Sequence, residues 1–167
     1  MDLFAKAFPD RFLSMGIAEQ DAMATAAGMA TAGKIPVFST CDVIAAHRAD
    51  DQIRATVCYN NVHAVIGGAH ADISVDPDDA THQALEDIAD MRVLPNMTVI
   101  SPCDATQAKI ATEKAILECE GPVYVRFGRE AVPDFTDESQ EFEIGKAQLM
   151  QDGTAVQISR EAAGAKG

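Results

Sequence analysis

The fold is decided by residues 97–127, which read MTVISPCDATQAKIATEKAILECEGPVYVRF. The stretch begins with a short apolar run, residues 97–100, and ends with another, residues 122–127. Between them, residues 102–120 have the composition of a loop followed by a helix. A strand, a helix and a second strand in this order are typical of a βαβ unit, whose two strands lie parallel in one sheet. The stretch therefore predicts an α/β protein.

The same alternation extends back toward the N-terminus. Helices are predicted at 19–32, 45–59 and 83–94, and strands at 36–39 and 63–68. The first helix ends at Gly33, a residue type that favours helix termination. Because crossovers between parallel strands are right-handed, we predict a doubly wound, mainly parallel sheet with helices on both faces. Functional sites in such sheets form in loops beyond the carboxyl ends of the strands.

Composition divides the chain into three predicted regions. Residues 1–132 carry the alternating pattern, and residues 133–143 are rich in Pro, Asp, Thr, Ser and Glu, which predicts an acidic linker. Residues 144–167 begin like a further domain and then run into Ala, Gly and Lys. We expect this last region to be the truncated, loosely ordered start of a C-terminal domain.

The charge and cysteine content exclude several classes of function. Hydrophobic residues make up 47% and charged residues 23%, which is ordinary for a globular domain. A net charge of -13 would repel both nucleic acid and anionic membranes, so neither is a predicted partner. The 4 cysteines show no CxxC spacing, and no secretory signal or apolar run of membrane-spanning length is visible. We therefore predict a reduced, cytoplasmic protein.

Polar residues in the predicted loops allow more than one interpretation. Glu19 in a first helical turn is favoured by the helix dipole alone, or it could contact a ligand nitrogen. His70 and His82 flank an Asp-rich loop that is either solvated or holds a polar substrate, and their spacing matches no compact metal motif. Arg129 follows a predicted strand, where it is either a surface residue or a phosphate ligand.

Two dispersed motifs make the sequence resemble a known family. Gly16-Ile17-Ala18-Glu19-Gln20 is similar to a signature shared by transketolases and deoxyxylulose phosphate synthases. Asp79-Ala80-Thr81-His82-Gln83, followed by Leu94-Pro95-Asn96-Met97-Thr98-Val99-Ile100, is similar to transketolase proper. The resemblance covers residues 8 to 133 and is to the pyrimidine-binding, central domain found in the C-terminal subunit of split transketolases.

The resemblance implies that the chain uses thiamine diphosphate. Glu19 falls where the family's glutamate contacts the aminopyrimidine ring of the cofactor and takes part in catalysis. Cys41 and Ile44 fall where the family usually has phenylalanines around that ring, and His47 follows them. These positions are therefore implied to bind the cofactor. The cofactor's diphosphate and its Mg²⁺ or Ca²⁺ are bound in the family by another domain with a Gly-Asp-Gly motif, so no metal ligand is expected in this chain.

The resemblance also implies a pocket for a phosphorylated sugar. His82 falls where a histidine contacts the donor ketose near its reacting carbonyl, so it is implied to be catalytic as well as substrate-binding. Asp78 falls where an aspartate contacts a donor hydroxyl. His70 and Arg129 fall where a histidine and an arginine bind the sugar phosphate. The loop 76–79 reads Asp-Pro-Asp-Asp where the family commonly reads Gly-Glu-Asp-Gly.

The implied function is half of an enzyme. The chain would pair with a transketolase N-terminal, diphosphate-binding subunit in a hetero-oligomer and transfer a two-carbon ketol unit between sugar phosphates. Because the Glu19 motif comes soon after residue 1, we expect the usual first strand to be absent. Two alternatives stay open, a noncatalytic fragment or paralogue that keeps the fold and binds a partner, and part of a deoxyxylulose phosphate synthase. Residues 94–100 argue against the second.

Overall fold

The structure is a computed structural model that describes residues 2–75, 80–146 and 148, together with the backbone of residues 165–166. Its strands are β1 Val37–Cys41, β2 Val65–Ala71, β3 Thr98–Ile100, β4 Val123–Gly128 and β5 Ala165–Lys166. Its α-helices are α1 Asp2–Ala7, α2 Glu19–Thr31, α3 Asp50–Gln52, α4 Asp87–Val93 and α5 Ala105–Leu117. A 3₁₀ turn spans Pro9–Arg11, and the π-helices Ile44–Arg48 and Ile53–Cys58 flank α3. We call residues 44–58 the bent helical segment.

The strands form one sheet in the order β1-β2-β4-β3-β5. The first four strands pair in parallel, and β5 pairs antiparallel with β3. Consecutive parallel strands are joined through helices, as the crossover rule requires. This confirms the predicted α/β fold with a mainly parallel sheet.

Side chains alternate between the two faces of the sheet and build two separate cores. On β4, Tyr124 joins a core formed with α2, the bent helical segment and α4, whereas its neighbours Val123 and Val125 join a core formed with α5. On β2, Ile66 and Val65 divide in the same way. Because strand side chains have a period of two, each apolar run supplies both cores. Helices therefore cover both faces, as predicted.

The predicted helix at 83–94 is wrong at its start. The helix α4 begins at Asp87, four residues later. Ala84 is fully buried, and its carbonyl accepts a hydrogen bond from the Asp72 amide at 3.1 Å in an isolated antiparallel bridge. That bridge holds the backbone at Ala84 extended, so the helix cannot include it.

Residues 133–146 lie along α5. Asp104, the N-cap of that helix, accepts hydrogen bonds from the amides of Phe135 and Thr136 at 3.0 and 2.7 Å. Phe142 is 7% exposed and completes the second core. The segment predicted as a linker therefore packs against α5 and the second core. The division into domains stays a prediction. Most of the predicted region 144–167 lies outside the described residues.

Within the described part of the chain, no helix combines the length and apolar character needed to cross a bilayer.

Candidate functional site

The ends of β1, β2 and β4 meet at one edge of the sheet. Cys41 at the end of β1 is in register with Ala69, and Ala71 at the end of β2 is in register with Gly128. This edge therefore carries Cys41, His70 and, directly after β4, Arg129. Because the strands are parallel, this is the carboxyl edge at which α/β proteins form their sites.

Glu19 is brought to the bent helical segment by an ion pair. It is the first residue of α2, and its side chain is 11% exposed. Arg48 Nη1 donates a hydrogen bond to Glu19 Oε2 at 3.2 Å. A cavity of about 320 Å³ opens beside them, lined by residues 17–21 and Arg48. The sequence motif identifies Glu19 but not its partner.

The predicted cofactor residues on the bent helical segment have different surroundings. Cys41 and Ile44 are partly buried where β1 passes into the segment. His47 instead faces α4, with Nδ1 3.0 Å from Asp90 Oδ2 and Nε2 3.8 Å from Glu86 Oε2. Both imidazole nitrogens of His47 therefore lie near carboxylates, and its role toward the cofactor stays a prediction.

The backbone is strained at the end of β2 and at the start of the loop that follows it. His70 has a φ of 63° and lies in an irregularity of the β2–β4 register between Ala69 and Ala71. Asp72 has a φ of 76°. Left-handed conformations cost free energy for residues other than glycine, and they persist where the surrounding structure fixes them. Here the bridge between Asp72 and Ala84 holds the loop.

The remaining predicted substrate residues are His82, Arg129 and Asp78. His82 is half-buried, and its Nδ1 lies 3.0 Å from Thr81 Oγ1. Arg129 is half-buried directly after β4. Asp78 lies outside the described residues, so its predicted role keeps its sequence basis alone. The roles of all three stay predictions.

A buried polar cluster lies below this edge, and no motif in the sequence indicated it. We define the Asp42 cluster as Asp42, Asp87, Tyr124 and Arg126. The first three side chains are 1% exposed or less, and Arg126 is 17% exposed. The Tyr124 hydroxyl donates to Asp42 Oδ1 and lies 3.4 Å from Asp87 Oδ2, to which Arg126 Nε donates at 2.6 Å. Burial, and then the neighbouring Asp87, raise the pKa of Asp42 to about 8.

One sequence signal could have revealed part of this cluster. Tyr124 and Arg126 are two residues apart in a predicted buried strand, so they share a face. An arginine in such a strand needs a buried acidic partner. The identity of that partner depends on tertiary structure, because Asp87 is 39 residues away in the chain.

A second cavity lies elsewhere. It has a volume of about 530 Å³ and is lined by residues that include Asn61, Asn96, Thr98 and Gly121. Asn96 and Gly121 precede β3 and β4, so this cavity lies at the amino edge of the sheet. We assign the candidate site to the opposite edge, where the parallel topology and the clustered polar residues agree.

Across the described ranges, no group of three or more His, Cys, Asp or Glu side chains is arranged to hold a metal ion.

Residues 1–134 match the family described as "Transketolase, pyrimidine binding domain". The chain belongs to this family. The match confirms the resemblance seen in the two motifs.

Individual relatives agree with this assignment. The chain is 43% identical to the "Putative transketolase C-terminal section" of Methanocaldococcus jannaschii, over 93% of this chain and 50% of that protein. It is 39% identical to one subunit of an apulose-4-phosphate transketolase of Phocaeicola vulgatus, with the same coverage of 93% and 50%. A solved structure described as "Split gene transketolase, inactive beta4 tetramer" is 48% identical, with a TM-score of 0.80 over 90% of this chain and 48% of that one. The chain thus spans about half the length of these relatives.

Proposed function

We propose that this chain is the pyrimidine-binding half of a thiamine diphosphate-dependent transketolase. With a diphosphate-binding partner chain, it would transfer a two-carbon ketol unit between sugar phosphates. The observation that carries the proposal is the position of Glu19, which is largely buried and borders an open cavity that Arg48 of the bent helical segment also lines. This position puts the carboxyl that the sequence motif implicates in cofactor binding against the segment that follows Cys41 and carries Ile44.

The residues at this edge fit an aminopyrimidine ring. The Glu19 carboxyl borders an open cavity, so it can reach a ring nitrogen. Ile44 lies on the same bent helical segment as Arg48, and Cys41 ends the strand before it, so both would offer apolar surface to the ring in place of stacking aromatics. Bound thiamine diphosphate supplies the nucleophilic carbon of ketol transfer, and the protein supplies orientation and electrostatics. Glu19 would hold a proton at its carboxyl, facing the ring nitrogen.

The substrate residues would act on a phosphorylated ketose. Arg129 suits the phosphate because its guanidinium can donate to two oxygens at once, and His70 lies at the end of the neighbouring strand. His82 would face the donor carbonyl and Asp78 a donor hydroxyl. The chain has a net charge of -13, which opposes the binding of an anion. The hydrogen-bond donors of these arginine and histidine side chains would offset that repulsion locally.

The partner is supported by exposed apolar side chains in the segment that precedes Glu19. Large hydrophobic side chains are exposed before Glu19: Leu3 83%, Phe4 44%, Phe8 48%, Leu13 60% and Ile17 91%. Exposed apolar groups in this number are typical of an interaction surface. We infer that a diphosphate-binding subunit covers them in a hetero-oligomer and binds the Mg²⁺ or Ca²⁺. A reducing, cytoplasmic setting is part of the same proposal.

A second function has its own support. The Glu19 carboxylate already has an ionic partner in Arg48, and no aromatic side chain stands at Cys41 or Ile44. These features favour a noncatalytic module that keeps the fold and binds a partner.

The deciding experiment mixes this chain with a transketolase diphosphate-binding subunit. Ketol transfer is then measured with a panel of phosphorylated ketose donors and aldose acceptors. We expect activity that requires both chains, thiamine diphosphate and a divalent metal ion. Stable association of the two chains without cofactor binding or turnover would establish the noncatalytic module instead.

A further inference from the structure

Two carboxyl groups and one guanidinium are buried together in the Asp42 cluster. Asp42 and Asp87 are fully buried, and Arg126 bonds to one of them. Among the described residues, Asp42 Oδ2 and Asp87 Oδ1 are buried oxygens without a hydrogen-bond partner. With both carboxyls ionised, the cluster would carry one uncompensated negative charge away from water.

We propose that Asp42 and Asp87 share one proton, and that Asp42 in its protonated form positions the Cys41–Ile44 rim of the candidate cofactor site. The second half of this proposal rests on the proposed function. The first half concerns the folded chain alone.

Charge balance supports the shared proton. Arg126 is paired with Asp87, so it compensates that carboxylate. Tyr124 donates its single hydroxyl proton to Asp42 and contributes no positive charge. Two neighbouring buried carboxyls cannot both ionise cheaply, because desolvation and like-charge repulsion act together. One added proton makes the cluster neutral and supplies the missing donor between the two carboxyls.

The location of Asp42 supports the positioning role. It directly follows Cys41 at the end of β1 and precedes Ile44 by two residues. The Asp42 side chain packs closely against Gly68 of β2. A Cβ added at Gly68 would collide with Asp42 and lie 2.6 Å from the Tyr124 hydroxyl. A repelled, ionised Asp42 has no free volume on that side. Because Asp42 lies between Cys41 and Ile44 in the chain, a displacement of Asp42 would shift the segment that carries the rim.

The charged groups around Asp42 come from each packed element. Helix α4 contributes Asp87, and β4 contributes Tyr124 and Arg126. After β2, Asp72 acts on Arg126. The bent helical segment contributes His47, which lies near Glu86 and Asp90 of α4.

The sign of the pH effect follows from burial. The pKa of Asp42 is raised from 3.8 to about 8 in the folded chain. The folded state therefore keeps a proton that the unfolded chain loses, and stability falls as pH rises between these two values. One proton corresponds to a change of up to about tenfold in the unfolding equilibrium constant per pH unit.

The first test compares urea unfolding of the full chain from pH 5 to pH 9 with that of Asp42→Asn. Asn supplies a permanent N–H donor in place of the protonated carboxyl. We expect the substitution to remove most of the slope in this range. The matched control Asp51→Asn removes the same charge from an exposed position in the bent helical segment and should keep the slope. A slope that survives in Asp42→Asn, or that disappears in His47→Gln instead, would overturn the shared proton.

A direct measurement covers the case in which Asp42→Asn folds poorly. The ¹³C shift of the Asp42 carboxyl, assigned by site-selective labelling, should titrate near or above neutral pH. A carboxyl already ionised at pH 5 would overturn the proposal.

The second test measures thiamine diphosphate binding to the mixed chains at pH 6 and pH 9. We expect the wild-type affinity to fall more than that of Asp42→Asn, with Asp51→Asn following the wild type. Equal pH dependence in all three would overturn the positioning role while the unfolding data decide the shared proton separately. Absence of binding by wild type at both pH values would count against the proposed function and against the positioning role, and it would leave the unfolding result intact.

Discussion

Arg48 Nη1 lies 3.2 Å from Oε2 of Glu19, and the two residues are 29 positions apart in the chain. The pair fixes the start of α2 against the bent helical segment. Because Arg48 is 53% exposed whereas Glu19 is 11% exposed, the guanidinium can withdraw to solvent while the carboxyl stays in place. The geometry therefore allows a ligand nitrogen to take the position of the guanidinium.

The first prediction concerns Glu19. Glu19→Gln should lower turnover of the assembled enzyme by about a hundredfold or more, the range of general acid–base contributions. The fold should survive, because a partly exposed ion pair contributes about 1 kcal/mol or less. Steady-state kinetics with the partner chain, together with urea unfolding, measure both effects. Turnover equal to wild type would remove Glu19 from the mechanism.

The second prediction concerns the competing guanidinium. Arg48→Gln should strengthen thiamine diphosphate binding by up to about fivefold, because the cofactor would no longer displace an ion pair worth about 1 kcal/mol. Calorimetric titration of the mixed chains measures the change, and Arg54→Gln, an exposed arginine on the same segment, is the control. Weaker binding in Arg48→Gln alone would mean that Arg48 contacts the cofactor instead of competing with it.

Local pattern was sufficient to predict the four parallel strands of the sheet and the longer helices, whereas α1 and β5 were not predicted. Val65 and Ile66, or Val123 and Tyr124, enter opposite cores because strand geometry alternates, and that alternation is visible in the sequence. The start of α4 was mispredicted because the hydrogen bond to the Ala84 carbonyl comes from Asp72, on a different element.

Contacts between residues far apart in the sequence limited what could be predicted about the site. Glu19 was identified from its motif, but Arg48 gave no local signal. Asp42 directly follows a strand, a place where a solvent-exposed acid is common, and its burial depends on Tyr124, 82 residues later. The candidate ligand-binding residues were therefore accessible from motifs, whereas polar residues that contact one another were not.

The third prediction tests the close approach between β2 and the Asp42 cluster. Gly68→Ala should destabilise the fold by roughly 1–3 kcal/mol, because the added methyl collides with Asp42 and the Tyr124 hydroxyl. Its matched control is Gly67→Ala, one residue earlier on the same strand, where the nearest atom, Ser39 Oγ, would be 3.5 Å away. Urea unfolding compares the two variants. Equal losses of stability would show that the cluster is not tightly packed against β2.

The fourth prediction concerns the attachment of residues 133–146. Asp104 is buried, which raises its pKa, but hydrogen bonds from Thr136, Gln107 and Phe135 outweigh that effect and lower the pKa to about 2. Stability from this contact is therefore present above pH 3.8 and is lost as pH falls toward 2. Asp104→Ala, which leaves these donors without an acceptor, should cost roughly 2 to 4 kcal/mol at neutral pH, measured by urea unfolding. The control is Asp134→Ala, because the exposed Asp134 also links this segment to the start of α5, by accepting a hydrogen bond from the Ala105 amide. An equal loss of stability in both variants would contradict the prediction.

The fifth prediction addresses the apolar surface before Glu19. Ile17 is 91% exposed, two residues from the catalytic candidate, and the proposed partner would bury it. Removing a side chain of this size from an interface costs about 1.5 kcal/mol or more, so Ile17→Ser should weaken association with the diphosphate-binding subunit by roughly tenfold or more. Leu117→Ser is the control, because Leu117 is 79% exposed at the end of α5, in the helix that covers the other face of the sheet. Analytical ultracentrifugation of the mixed chains measures both dissociation constants. If the two variants weaken association equally, or if neither does, the partner does not bind the exposed apolar residues that precede Glu19. The diphosphate-binding subunit would then have to contact a different surface of this chain.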